Sequence, residues 1–447
     1  MLEAQPLSIT VVFGLVIVCI ALNVADMTLL AMLGLCALTL GGLVTHNDVF
    51  NAIRASSGSL ALLFGGMVVA RVLAPTGIFG NLGTRFLLLT GGSGRRFLLL
   101  LTAMTSVVCA ILPNATAVIL IAPIVIGVCK ELDTDFTGPL ILTAVISNAA
   151  GLLTLVGDPA TFLVGQAAGL SFTEYLRKIS PGGLLSILVV IPLMPLLFGP
   201  CWKARRRLSA DLRPQPIARP GFCFLALGAL AVMVALFLVG DFLPVTVVPP
   251  SAAIIGASLA LFALHVSRYE STEAVFRDID WRTLVFIFCM MCFVEEITKT
   301  GIMSGLSRML YAGVGDRLLE AALVLLAAIG LLSGFLANIP VVAAAVLLAK
   351  GYMVMAKLVP EFALGFGYSD WPAASLPVFA GMMFGGTLGG NVTLIGSSAT
   401  LVAAGISASH GKPIAFAAFM RYGVPIAMCQ LGVAAFYVWL LSLMARP

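Results

Sequence analysis

A chain of 447 residues that is 60% hydrophobic and only 10% charged, with mean hydropathy +1.10, is not an ordinary soluble domain, which carries roughly 25% charged residues. Apolar runs of about 18 to 22 residues recur from end to end, long enough to cross a hydrocarbon core of about 30 Å, and the alternating ten-residue segments of a membrane barrel are missing. The net charge of +5 follows loop topology and makes no case for nucleic acid, so the expected fold class is an all-α polytopic membrane protein.

The first apolar run, from about Leu7, lacks a basic flank and a small-residue cleavage site, so it reads as a span and not a removed signal. In chain order the first half gives spans near 8–24 and 28–45, an amphipathic stretch at 47–54 suited to the membrane interface, and a third span near 58–82. A hairpin near 97–129, a glycine-interrupted helix near 138–165 and a last span near 182–200 complete the N-terminal repeat, 1–200. The linker 201–220 carries Lys203, Arg205, Arg206, Arg207, Arg213 and Arg219 against Asp211 alone, which marks it cytoplasmic. The C-terminal repeat, 221–447, has spans near 221–240 and 249–266, a second interfacial stretch at 267–282, and a span near 283–304. A hairpin near 320–349, an interrupted helix near 373–404 and a last span near 424–444 follow. The nine cysteines lie mostly inside apolar runs and read as small core residues, not a disulfide framework.

The halves repeat one another. TGIFGNL at 76–82 returns as TGIMSGL at 300–306, and Asn114 of LPNAT as Asn338 of LANIP, both 224 residues on (300 − 76; 338 − 114). GLLTLVGDPATFLVG at 151–165 returns as GNVTLIGSSATLVAA at 390–404, 239 residues on (390 − 151), and FTEYLRKISP at 172–181 as FAAFMRYGVP at 416–425, 244 on (416 − 172). Four blocks in one order indicate duplication. Each hairpin has a polar Asn and a proline mid-run, is too long for one helix and is short for two spans, so it is expected to dip in and return. Each half then crosses five times, and halves with an odd count must be inverted relative to each other.

Paired interrupted spans are the sequence pointer to a transporter's substrate site. Half-helix N-termini suit an anion, and C-terminal carbonyls suit a cation such as Na⁺. The candidate binding residues are Asn114 and Asn338 at the hairpin tips, Gly157 and Gly396 at the turns, Pro159 as a block to helix, and the hydroxyls of Thr154, Thr161, Thr393, Thr400, Ser397 and Ser398. Thr116, Ser147, Asn148 and Asn391 stand beside them. Asp158 either neutralises a cation or caps the following half-helix. Ionisable groups inside spans are costly: Arg71, Glu295 and Glu296 are candidates for coupling or charge balance, or else form ion pairs. The Cys289-x-x-Cys292 pair lacks further ligands, and His46, His265 and His410 form no metal cluster.

LPNATAVILIAPIVI, ISNAAGLLTLVGDPATFLVG and LGGNVTLIGSSATLVAAGI resemble the paired signatures of the ion transporter superfamily, which includes arsenite permeases, D-type sodium/proton antiporters, the pigmentation P protein and divalent anion/sodium symporters. That resemblance implies that the tips at Asn114 and Asn338 and the turns at 154–161 and 393–400 form substrate and cation sites, in a protein often dimeric and working by an elevator motion. The chain departs from the pattern where Pro113 and Ala337 precede the tip asparagines in place of Asp, and where GDPAT replaces a GDPPN-like turn, so that Thr161 stands in for an Asn. The expected function is secondary transport of a small anion or oxyanion coupled to Na⁺ or H⁺, by an integral membrane protein that in a bacterium would sit in the cytoplasmic (inner) membrane, with no organic cofactor. Sodium/proton antiport and arsenite or other metalloid efflux are the alternatives; no filter-like repeat or nucleophile–base pair supports a channel or an enzyme.

Overall fold

The computed structural model describes residues 4–21, 24–206, 217, 219–336, 338–365, 368 and 370–445. The tip residue Ala337 and most of the linker, including Arg207, Asp211 and Arg213, lie outside them. The described residues are helical throughout, with no strand. The first half comprises α1 (Ala4–Ala21), α2 (Met27–Leu40), α3 (His46–Leu73), α4 (Ile78–Thr90), α5 (Gly94–Cys109), α6 (Asn114–Leu132), α7 (Thr137–Ala150), α8 (Pro159–Ala167), α9 (Phe172–Lys178), α10 (Ser180–Leu188), α11 (Met194–Leu197) and α12 (Gly199–Lys203). The second comprises α13 (Pro220–Val239), α14 (Pro249–Ser267), α15 (Thr272–Arg277), α16 (Trp281–Lys299), α17 (Ile302–Val314), α18 (Leu318–Phe335), α19 (Asn338–Met355), α20 (Leu376–Gly389), α21 (Ser398–Ser409) and α22 (Phe416–Met444). Among the described residues, 8 helices are long and apolar enough to cross a membrane.

Several expectations need correction. Residues 47–54 are not a separate interfacial helix; Thr45 and Asp48 form a capping box that starts the 28-residue α3 there, while its counterpart does break into the short α15. The span expected to reach 82 stops at Leu73, because Ala74 and Pro75 open a short 3-10 turn and Gly77 takes φ 76°. A separate amphipathic helix, α4, follows, and Gly301 at φ 74° sets off α17 in the same way. The hairpins are longer than expected: α18 and α19 each have 18 residues, about 27 Å at 1.5 Å per residue. The last span of the first half is split near Pro192 and Pro195, whereas α22 carries Pro425 through 29 residues without a break.

The helices form two groups. In one, α3 packs on α14 and α16, with α1, α2, α13 and α15 around them; in the other, α7 packs on α5 and α20 on α18, with α6, α8, α19, α21 and α22. Residues 139–150 of α7 and 377–389 of α20 are buried without exception, as expected of helices apolar on every face. Leu7, Leu40, Phe224 and Phe262 lie exposed on outer helices, where lipid would cover them. All described side-chain hydrogen bonds and ion pairs of α3 and of α14 to α16 stay within the first group, among them Asn51 to Glu295, Lys299 to Asp48 and Arg71 to Asp278. Where the two groups pack directly, the contacts are apolar. Gly58 admits Phe162 of α8, Gly66 admits Pro113 at a hairpin tip, and Phe172 stacks on Phe237 at 5.9 Å.

Gly381, Gly385 and Gly389 form a stripe on α20 that lets it lie directly on α18; a Cβ at Gly389 would sit 2.1 Å from the Gly330 carbonyl oxygen. Small-residue stripes of this kind hold membrane helices together by close backbone approach. Gly389→Ala is expected to destabilise by about 2 kcal/mol or more, read as a lowered unfolding temperature in detergent, while Gly405→Ala, with nothing within 4 Å, leaves it unchanged or raised. Outside the spans, burial acts to raise the Asp135 carboxyl, but hydrogen bonds from Lys412 (2.8 Å) and Thr137 (3.1 Å) outweigh it and hold the group below its ordinary range. Its contribution is complete above the unfolded carboxylate value of about 3.9 and is lost as pH falls through the lower folded value. Acid titration of Asp135→Asn should show a shallower loss of stability across that window than the parent protein.

Candidate substrate site at two broken helices

The breaks have a steric cause. Residue 151 begins the first break and residue 157 ends it; a Cβ on Gly157 would fall 2.9 Å from the Gly151 Cα and 2.7 Å from the Cys109 carbonyl oxygen. The second break repeats this, a Cβ on Gly396 falling 2.8 Å from the Gly390 Cα. The ends of each break touch, and only glycine fits. Asp158 then caps α8, accepting from Ala160 N at 3.2 Å, and Ser397 caps α21, accepting from Thr400 N at 3.3 Å. Pro159 does not prevent helix. It occupies the first turn of α8, where a missing N–H costs nothing.

Hairpin tips and breaks are tied by side chains. Thr154 donates to the Ala110 carbonyl at 2.6 Å, and its repeat partner Thr393 donates to Gly334. With its amide nitrogen turned toward them, Asn114 donates to the carbonyls of Ser147 (2.9 Å) and Gly157 (3.2 Å). Asn338 instead crosses between the halves, donating to Asp158 Oδ2 at 3.1 Å. Thr387 also points a hydroxyl at that oxygen, at 3.5 Å, and lies 3.5 Å from the Thr161 hydroxyl. Where α7 and α20 end, Asn148 donates to the Thr387 carbonyl (2.7 Å) and to Asn391 Oδ1 (3.1 Å), Asn391 donates to Gln430 Oε1 (2.8 Å), and Gln430 donates to the Ser186 carbonyl (3.0 Å). The side-chain oxygen Oδ1 of Asn148 is buried and accepts from no described group.

Not every sequence candidate joins this cluster. Thr400 turns inward to the Leu394 and Ser397 carbonyls, both at 2.7 Å, and Ser147 reaches only the Asn114 carbonyl at 3.4 Å. Thr116 is half-buried and Ser398 exposed, on the first turns of α6 and α21. Arg71 lies away from the breaks, paired with Glu270 (2.9 Å) and Asp278 (2.8 Å). It does not meet Glu295, which accepts from Asn51 at 2.9 Å. Glu296 is fully buried against Lys299 at 3.1 Å, and Lys299 also reaches Asp48. Thr387 and Gln430 were missed, although both were findable: they lie 239 residues after Asn148 (387 − 148) and 244 after Ser186 (430 − 186), the repeat spacings of their regions.

The polarity is uneven. Side-chain donors already occupy the carbonyls at Ala110, Gly334, Ser147 and Gly157, and Ser333 takes that of Gly386. Of the half-helix N-termini, those of α8 and α21 are capped by Asp158 and Ser397, whereas α6 follows Pro113 and has no side-chain cap. The helices pack in pairs, α8 against α19 and α6 against α21, so the N-terminal partial positive charge is least compensated at α6.

A family model described as CitMHS, citrate transporter, matches residues 17–367. The chain belongs to the CitMHS citrate transporter family. Within this transporter group, a Synechocystis protein titled uncharacterized transporter slr0753 is 42% identical over 433 residues, covering 96% of each chain. The mouse P protein is 24% identical over 518 residues, covering 96% of this chain and 60% of its own length, so the resemblance to the ion transporter superfamily holds. The crystal structure of the Alcanivorax borkumensis YdaH transporter aligns with TM-score 0.56 at 11% identity, over 88% of this chain and 86% of that one, and shows the fold to be of a transporter kind. For this CitMHS protein the threonine pins yield a test. Thr154→Val strands the half-buried Ala110 carbonyl and Thr393→Val the buried Gly334 carbonyl; each is expected to cost about 1–3 kcal/mol, seen as a lower unfolding temperature with ligand-induced shifts intact; unchanged stability with lost ligand response would make them ligands instead.

Proposed function

We propose that this membrane transporter moves a small carboxylate anion or oxyanion, coupled to Na⁺ or H⁺, through a site where the tips at Asn114 and Asn338 meet the break at 151–158. The observation that carries the reading is the uneven polarity at the breaks: protein donors already fill many C-terminal carbonyls, while the N-terminus of α6, at the tip holding Asn114, has no side-chain cap and is left to face an anion. The family description supports citrate as the first candidate. Asp158 Oδ2 and the unengaged Asn148 Oδ1 are acceptors that suit the coupling cation or proton. The lack of any described side-chain hydrogen bond or ion pair from α3 or α16 to the second group supports an elevator displacement, because sliding that group along them breaks no such bond. The repeats are proposed to be inverted, with the linker cytoplasmic.

A second reading, sodium/proton antiport, is favoured by one observation: Asp158 is buried between the halves and able to exchange a proton for a metal ion. Thermal-shift screening of the purified protein against citrate, succinate, phosphate, arsenite, Na⁺ and Li⁺ separates the two. A ligand at 100 times its dissociation constant should stabilise by about 2.7 kcal/mol. Citrate or another anion should stabilise the parent but not Asn338→Ala, and Asp158→Asn should keep the anion shift while losing its dependence on Na⁺ or pH. Stabilisation by Na⁺ alone, with ΔpH-driven Na⁺ exchange in vesicles lacking any anion substrate, would establish antiport instead.

A further inference from the structure

A cavity of about 390 Å³ lies between the two helix groups, walled by α3 and α16 on one side and by α8 and α19 on the other. Both α8 and α19 start at the Asp158–Asn338 contact and run outward from it. The cavity's inner lining includes Leu163 and Ala343, each five residues along its helix and so roughly 7 Å from that contact at 1.5 Å per residue. Toward the other end are Arg54, Glu295, Lys350 and Tyr368.

Lys350 is the unusual member. Its side chain is 6% exposed, yet its ammonium has only the Gly365 carbonyl at 3.1 Å and the Trp371 ring at 5.8 Å. No carboxylate pairs with it among the described residues, and none pairs with Arg54. The one acid in the lining, Glu295, already accepts from Asn51 at 2.9 Å. A buried cation with no counter-ion is held at a cost that an arriving anion relieves, and a narrow cleft with net positive charge concentrates anions at its mouth.

We propose that this cavity is the vestibule through which the transported anion reaches the broken helices, and that Lys350, with Arg54, binds its carboxylate on the way. The inference rests on the anion reading above and adds the route and two specificity residues. Lys350 and Arg54 stand near the C-terminal end of α19 and the N-terminal end of α3, which the cytoplasmic linker proposed above would put outside the cell, so the vestibule is assigned to the outer side.

The test is uptake of radiolabelled citrate and succinate into proteoliposomes of the full-length protein, with Lys350→Gln, Lys350→Arg, Arg54→Gln and Asn338→Ala. Lys350→Gln should raise KM about tenfold, more for citrate than for the less charged succinate, with kcat little changed, and Lys350→Arg should restore it. Arg54→Gln, at an exposed position where folding is not at stake, should raise KM in the same direction and flatten its dependence on ionic strength. If Asn338→Ala abolishes uptake while Lys350→Gln and Arg54→Gln leave KM and its salt dependence unchanged, the anion site stands and the vestibule assignment falls. If the parent takes up neither anion nor phosphate, both fall together.

Discussion

A backbone interrupted inside a membrane has no water to turn to, so every carbonyl and N–H that the break frees must find a partner in the protein. In this chain the requirement is met mostly by side chains reaching from one broken element to another. Thr154 and Thr393 bind carbonyls at the hairpin turns, Asn114 spans the end of α7 and the end of its own break, and Asn148, Asn391 and Gln430 bind the two helix C-termini into one network. These bonds fix the hairpin tips against the breaks. The tips, in turn, decide which helix ends face one another, and so what charge the centre of the protein presents.

The architecture was largely legible because its signals are strong and local. Continuous apolar runs gave most spans, and glycine pairs flanking TL-x-G gave both breaks within a few residues of α7, α8, α20 and α21. The parts that escaped are those where context decides. Nothing in residues 47–54 says whether a turn separates them from the next span, and the capping box at Thr45 settles the matter only once α3 packs as one rod against α14 and α16. The amphipathic α4 and α17 were absorbed into neighbouring spans because their apolar faces extend the run by composition. In the same way, a proline after Asp158 reads as a breaker until its place in the first turn is known.

For the site, residue type was more legible than role. The hydroxyls around the glycines were found, but sequence cannot say whether a buried threonine serves a ligand or its own backbone. Thr154, Thr393 and Thr400 serve backbone. Asp158 stood open between cap and cation partner, and the structure shows one oxygen capping α8 while the other meets Asn338 and Thr387. Arg71 and Glu295 occupy matching positions in the sequence repeat, yet positions that match in a duplicated sequence need not touch. Arg71 finds its acids in the segment around α15.

The sequence repeat is itself imperfect at the centre, and the difference matters chemically. Asp158 has Ser397 as its counterpart, so only one of the two turns carries a carboxylate, and Asn338 of the other half is drawn across to it. The second turn closes on itself through Thr400. A second asymmetry accompanies the first: α3 and α16 pack against α8 and α19, and their counterparts α21 and α6 make no comparable contact with α16 and α3 among the described residues. Two copies of one fold would give two equivalent faces if the halves were arranged alike. Here a single carboxylate lies at the origin of the two helices that wall the cavity against the first group, so the acidic turn and the cavity belong to the same face of the protein.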